Sequence, residues 1–232
     1  MRKALVRTAA LAVAGLLFAA GCSSSDGNGT PSGNGAPVKI TSSGPPSKFR
    51  GTELDRPMEK PDLALTDTSG QAYDFKARTA GKVTLLYFGY THCPDVCPTT
   101  MADVARALTK LKVEDRANVN VVFVTTDPER DTGPELRQWL DAFDPSFTGL
   151  TGSFDAIQAA AKSVGVPIEP PVVKDGKVTS THGTQVVAFS PDNRARVVYL
   201  ASVGMNPDGS AAGITADDFA HDLPLLIHPD AS

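Results

Sequence analysis

An excess of basic side chains is missing from this 232-residue chain, and so are internal repeats, long apolar runs and more than three cysteines. Arg2, Lys3 and Arg7 fall in the first 21 residues, so the remainder carries 19 basic against 26 acidic side chains, a net charge of about −7. That balance excludes nucleic acid as the expected partner and is ordinary for a soluble domain. The longest apolar stretch, near the N-terminus, is too short to span a bilayer comfortably. Aromatic residues make up only 6% and tryptophan occurs once, at Trp139, where it sits on the margin of a helical stripe and reads as packing. An apolar fraction of 41% is still enough for one buried core, and the length fits a single folded domain.

What is present begins with a leader. Residues 2 to 7 are basic, residues 9 to 20 are small and apolar, and Gly21-Cys22 follows, the three-part layout of a bacterial secretion signal. Ala19-Ala20-Gly21-Cys22 resembles a lipobox, with Ala19 where leucine is commoner. The expectation is a signal peptide over 1–21, removed to leave an acylated Cys22 as the mature N-terminus and a protein held on the extracytoplasmic face of the cell membrane. From Ser23 to Pro57 the sequence is rich in Ser, Gly, Asn and Pro without apolar periodicity. Such a tether of about 35 residues reaches roughly 30 Å when flexible. The folded domain is therefore placed at 58–230.

Within that domain, two short strands are expected at Leu63–Thr66 and Ala72–Phe75 around a turn. Val83–Phe88 is a continuous apolar run, the signature of a strand covered on both faces. Met101, Val104, Ala105, Leu108 and Leu111 then recur at helical spacing after Pro98. Val119–Thr125 is a second buried strand, and Thr132 with Pro134 opens a helix carrying Leu136, Leu140 and Phe143. A strand at Phe147–Leu150 precedes a helix capped by Ser153 and ended by Gly165. Asp175-Gly176 centres one hairpin, and the Ser190–Asn193 turn separates strands at Gln185–Phe189 and Arg196–Leu200. Thr215 and Asp218 start a terminal helix, with Ile214 placed to staple against Phe219 and Pro224 expected to end or bend it. The alternation of strand and helix followed by a hairpin and a helix fits an α/β three-layer sandwich of the thioredoxin type.

Chemistry concentrates at Tyr87-Phe88-Gly89-Tyr90-Thr91-His92-Cys93-Pro94-Asp95-Val96-Cys97-Pro98, where a buried strand meets a helix N-terminus. Free amides and the positive end of the helix dipole there favour a thiolate. Three residues separate the thiols, so the pair can face one spot across a tight turn. Outside the cytoplasm such a pair is open to three readings: a structural disulfide, a redox dithiol or a metal site. The Pro-x-x-x-Thr-x-x-Cys pattern of a peroxidase is absent before Cys93.

Together with Thr126-Asp127-Pro128-Glu129-Arg130-Asp131-Thr132, the cysteine motif resembles the Sco/SenC family over about residues 58–229. The resemblance implies a thioredoxin-like fold and one copper bound by Cys93, Cys97 and a distant histidine. It implies a role in assembling the CuA centre of cytochrome c oxidase, whose CuA-bearing subunit would be a partner beside other envelope copper or thiol-redox proteins. His182, in Thr181-His182-Gly183-Thr184, is the matching histidine, although family members more often carry Asp before it and Ser after it. Asp127 ends a buried strand beside the site and is assigned either a role supporting the ligands or partner, or a turn cap. His92 belongs to the motif without being the family's ligand, and His221 and His228 are assigned to the terminal helix. Two thiolates and an imidazole form a soft donor set suited to Cu(I) and tolerant of Cu(II), whereas structural zinc asks for four ligands. The alternatives are an envelope thiol-disulfide oxidoreductase using Cys93 and Cys97, and a copper-dependent redox sensor without delivery.

The leader reading predicts that Cys22→Ser frees the protein from membranes or strands the precursor, as cell fractionation would show. A Cys22→Ser protein processed and membrane-bound like the parent would contradict it.

Overall fold

The computed structural model describes residues 47–175, 177–201, 204 and 213–230. The expected leader, Cys22 and tether residues 23–46 lie outside them, as does Gly176 of the expected hairpin turn. In chain order the elements are β1 (Thr52–Glu59), β2 (Leu65–Asp67), β3 (Ala72–Tyr73), α1 (Phe75–Arg78), β4 (Val83–Gly89), α2 (Val96–Lys110), α3 (Val113–Arg116), β5 (Val119–Thr125), α4 (Gly133–Asp141), β6 (Thr148–Thr151), α5 (Phe154–Ser163), β7 (Val172–Lys174), β8 (Lys177–Thr179), β9 (Gln185–Phe189), β10 (Arg194–Leu200) and α6 (Ala216–Ile227). Among the described residues, no helix is long and apolar enough to cross a membrane.

The main sheet has the order β1-β10-β9-β4-β5-β6-β2-β3, while β7 and β8 pair only with each other. β4 lies at its centre, parallel to β5 with Val83 opposite Val119 and Gly89 opposite Thr125, and antiparallel to β9. Every residue of β4 is buried, as its unbroken apolar run requires. Because side chains alternate along a strand, Leu85 and Tyr87 join one core with Met101 and Val104 of α2, Leu136 of α4 and Phe219 of α6. Leu86 and Phe88 join the other, with Phe75 of α1 and Ile157 and Ala161 of α5. Helices on both faces of a central sheet make the three-layer, thioredoxin-like sandwich that the sequence predicts.

Local chemistry sets the helix starts. Thr132 and Glu135 form a capping box at α4, Thr215 and Asp218 another at α6, and Ser153 accepts from the Ala156 amide at α5. Beyond α5, Gly165 takes φ 72°, a left-handed turn that glycine adopts without strain. Trp139 packs with Phe123 and Phe143 at ring-centroid distances of 5.0 and 4.8 Å.

Three features differ from expectation. Phe75 begins the short α1 instead of ending a strand, because the Asp74 carboxylate accepts from the Ala77 amide and caps it. α6 runs through Pro224: the lost backbone bond costs about 3 kcal/mol, but Leu223 and Leu226 are both buried and contribute roughly 1.5–3 kcal/mol each. β1 starts at Thr52, six residues before the expected domain boundary at 58, and pairs with β10.

A buried carboxylate fixes that entry point. The amides of Arg50 and Gly51 donate to Asp222 at 2.9 Å, and Asp222 is fully buried on α6. Asp222→Ala should therefore cost about 2–4 kcal/mol of unfolding free energy, since it leaves backbone donors without a charged acceptor. Urea denaturation of the reduced protein would measure it, and a loss under about 0.5 kcal/mol, typical of an unremarkable surface site, would contradict the role given to this contact.

Candidate metal centre

β4 delivers the chain to the cysteine loop, and the end of β4 is shaped for a sulfur. At Gly89 a β-carbon would stand 2.8 Å from Cys97 Sγ and 3.0 Å from the Phe123 ring, so a side chain there would displace the thiol or the core. The Cys93 amide then donates to the Tyr90 carbonyl at 3.2 Å, closing a turn. Asp95 caps α2 by accepting from the Val96 amide at 2.6 Å. Pro98 occupies the first turn, where no amide donor is needed.

The next free amide of α2, that of Cys97, points at Cys93 Sγ 3.3 Å away. The sulfur thus takes the place of a capping oxygen, and the helix dipole favours its negative charge. Both cysteines are buried and neither forms a disulfide. The Cys97 thiol hydrogen-bonds the Cys93 sulfur and, with help from His182 and the amides of Cys97 and Asp95, holds the Cys93 thiol well below its ordinary range although burial opposes this. The same sulfur–sulfur contact and burial push Cys97 up. The contact therefore makes the two sulfurs unequal, favouring the thiolate at Cys93 and the thiol at Cys97. Tyr87 closes the base of the site, its hydroxyl 3.6 Å from Cys97 Sγ.

His182 arrives on the segment between β8 and β9. The Gly183 amide donates to the Phe88 carbonyl at 3.0 Å, which docks this segment on the end of β4. A β-carbon at Gly183 would meet Val166 at 2.6 Å, so the close approach depends on glycine. Thr181 exchanges two hydrogen bonds with the Glu169 backbone at 2.7 and 2.8 Å. His182 Nδ1 lies 2.9 Å from the Gly183 carbonyl. A carbonyl only accepts, so Nδ1 carries the proton and Nε2 is left as the free donor atom. Hydrogen bonding to Cys93 raises the His182 pKa, against the effect of burial.

The donor atoms of Cys93, Cys97 and His182 all lie within 4.8 Å of one another. Two sulfurs and one imidazole nitrogen in a largely buried pocket fit a soft metal ion, and three donors leave a coordination position open. His92, with a side chain 55% exposed, lies outside this trio. His221 contacts Asp222, and His228, the residue closing α6, contacts Asp115, each at 2.7 Å. Asp127 is buried and accepts from Ser180 at 2.7 Å and from the Arg130 Nε at 2.6 Å. It supports the segment leading to His182, and its own carbonyl also receives the Arg130 and Asp131 amides of the following turn.

The SCO1/SenC family model matches residues 52–216. The chain belongs to the SCO1/SenC family. Among solved Sco structures, it is 34% identical to the apo Sco1 protein of Thermus thermophilus, covering 77% of this chain and 96% of that one at a TM-score of 0.64. It is 32% identical to Bradyrhizobium japonicum ScoI with copper bound, covering 74% and 98% at a TM-score of 0.55. The mitochondrial protein SCO1 homolog 1 of Arabidopsis thaliana is 38% identical over 112 residues, 48% of this chain but only 34% of that longer Sco protein.

Two residues of this Sco site escape motif reading. Tyr87 is hidden in an apolar run, where only its hydroxyl, on the face turned towards α2, signals a polar neighbour. Asp131 lies in the Thr126–Thr132 segment that carries the family resemblance, but its carboxylate reaches back to Thr91 and Thr125. The asymmetry of the thiols predicts that in the reduced protein Cys93 is alkylated well below the ordinary thiol pKa of about 8.5 while Cys97 stays protected. Mass mapping after iodoacetamide treatment across pH would test this; equal rates rising together near the ordinary value would contradict it.

Proposed function

We propose that this chain binds one copper ion through Cys93, Cys97 and His182 and delivers it to the CuA-bearing subunit of cytochrome c oxidase. The protein would work from the extracytoplasmic face of the membrane, held there by lipid on Cys22. The observation that carries the reading is the convergence of two buried sulfurs and a tautomer-fixed imidazole within 4.8 Å. Support comes also from the copper bound to the Bradyrhizobium relative, which shares 32% of its residues over nearly its whole length.

Copper here is cargo. Cys93 offers a ready thiolate, Cys97 loses its proton on binding, and loading therefore weakens as pH falls. Burial of the thiols slows adventitious oxidation, and the open coordination position lets an acceptor thiol or imidazole enter before the donors of this chain leave. Lowering the number of donors stepwise in this way permits transfer without releasing a free ion.

A second reading, thiol-disulfide exchange on an acceptor's cysteines, is favoured by one observation: the Cys97 amide at the start of α2 points at Cys93 Sγ, 3.3 Å away, which makes the two sulfurs unequal, as an attacking and a resolving sulfur would be. The two readings separate at His182. His182→Ala should still form a Cys93–Cys97 disulfide, yet bind Cu(I) at least about 10-fold more weakly and lose most Cu(II) binding, because two sulfurs leave copper under-coordinated. Cells carrying only this variant should assemble little active oxidase at limiting copper. Normal copper binding by His182→Ala would overturn the ligand assignment; lost copper with full oxidase assembly would favour the exchange reading.

A further inference from the structure

We infer that the segment from Thr125 to Asp131 clamps the two halves of the donor set at a fixed separation, with Thr126 and Asp131 as positioning residues. The inference rests on the copper-binding reading above and concerns how this chain holds its donors before the cargo arrives.

The thiols and the imidazole come from different loops, and the Thr125–Asp131 segment bonds to both. On the cysteine side, Asp131 is fully buried and accepts from the Thr91 amide at 2.9 Å, the Thr91 hydroxyl at 2.6 Å and the Thr125 hydroxyl at 2.6 Å. Thr91 stands two residues before Cys93. On the histidine side, the Thr126 hydroxyl donates to the Thr181 carbonyl at 2.6 Å, and Asp127 accepts from the Ser180 hydroxyl at 2.7 Å. These are the two residues preceding His182. The halves of the clamp are joined internally: the Thr125 hydroxyl, which donates to Asp131, accepts from the Asp127 amide at 3.0 Å. The Thr126 amide donates to the Gly89 carbonyl at 2.7 Å, fixing the whole segment to the end of β4.

Thr125, Thr126, Asp127 and Asp131 are all buried, so breaking a bond leaves a polar group without water to replace its partner. The segment therefore resists displacement, and both donor loops inherit its position. A turn that was only structural would show the same bonds but would not couple to the donors, and that difference can be measured.

Copper(II) and Cu(I) affinities of the full-length reduced protein would be compared, with melting temperatures, for Thr126→Val, Thr126→Ser, Asp131→Asn and the remote Asp222→Asn. Expected is a dissociation constant about 10-fold higher for Thr126→Val and for Asp131→Asn, with Thr126→Ser restoring the parent value. Asp222→Asn should lower the melting temperature and leave affinity unchanged. In a His182→Ala background, Thr126→Val should weaken binding no further, because its effect passes through that imidazole. Parent-like affinity in Thr126→Val and Asp131→Asn, or a Thr126→Val penalty of equal size with and without His182, would overturn the clamp. Parent-like affinity in His182→Ala alone would instead show that the copper-ligand assignment is at fault, and the clamp would fall with it.

Discussion

A hydrogen bond from the Cys97 amide to Cys93 Sγ, 3.3 Å long, ties a buried sulfur to the first turn of α2. Through it, backbone geometry becomes electrostatics. The first amides of a helix have no carbonyl to bond, and a thiolate placed there satisfies one of them while meeting the positive end of the dipole. Cys97 then supplies a second donor, its own thiol, so the two sulfurs are held unequal, Cys93 favoured as the thiolate and Cys97 as the thiol. Burial alone would keep both sulfurs protonated and poor as ligands.

The sheet makes this arrangement durable. β4 is buried along its length and paired with β5 and β9, and its end at Gly89 is held by pairing with Thr125 of β5. α2 packs on the sheet through Met101, Val104 and Leu108, each contributing roughly 1.5–3 kcal/mol by burial. The histidine segment is carried on β9, the antiparallel neighbour of β4, and docks on the carbonyl of Phe88. Donors distant in sequence thus sit at the ends of adjacent strands, the usual place for functional groups in an α/β sheet.

Much of this was legible in the sequence, and for identifiable reasons. The apolar run of β4, the stripe on α2 and the capping residues Thr132, Ser153 and Thr215 are local signals, and the structure forms each element where they stand. β1 was hidden because an edge strand reading Thr-Glu-Leu-Asp-Arg-Pro-Met-Glu buries few side chains and looks like the tether before it. The course of α6 through Pro224 depends on burial of Leu223 and Leu226, which no local rule weighs. Cys93, Cys97 and His182 could be singled out by motif, but Tyr87 and Asp131 could not, since their contacts to Cys97 and Thr91 arise only when strands and loops are folded together.

The central claim is that two sulfurs and one imidazole nitrogen form a single copper site. X-ray absorption at the copper edge of the reduced, Cu(I)-loaded protein tests it most directly. Two sulfur scatterers and one imidazole nitrogen on one copper are expected. A spectrum with sulfur alone, or with copper–copper scattering from a cluster bridging two molecules, would contradict it.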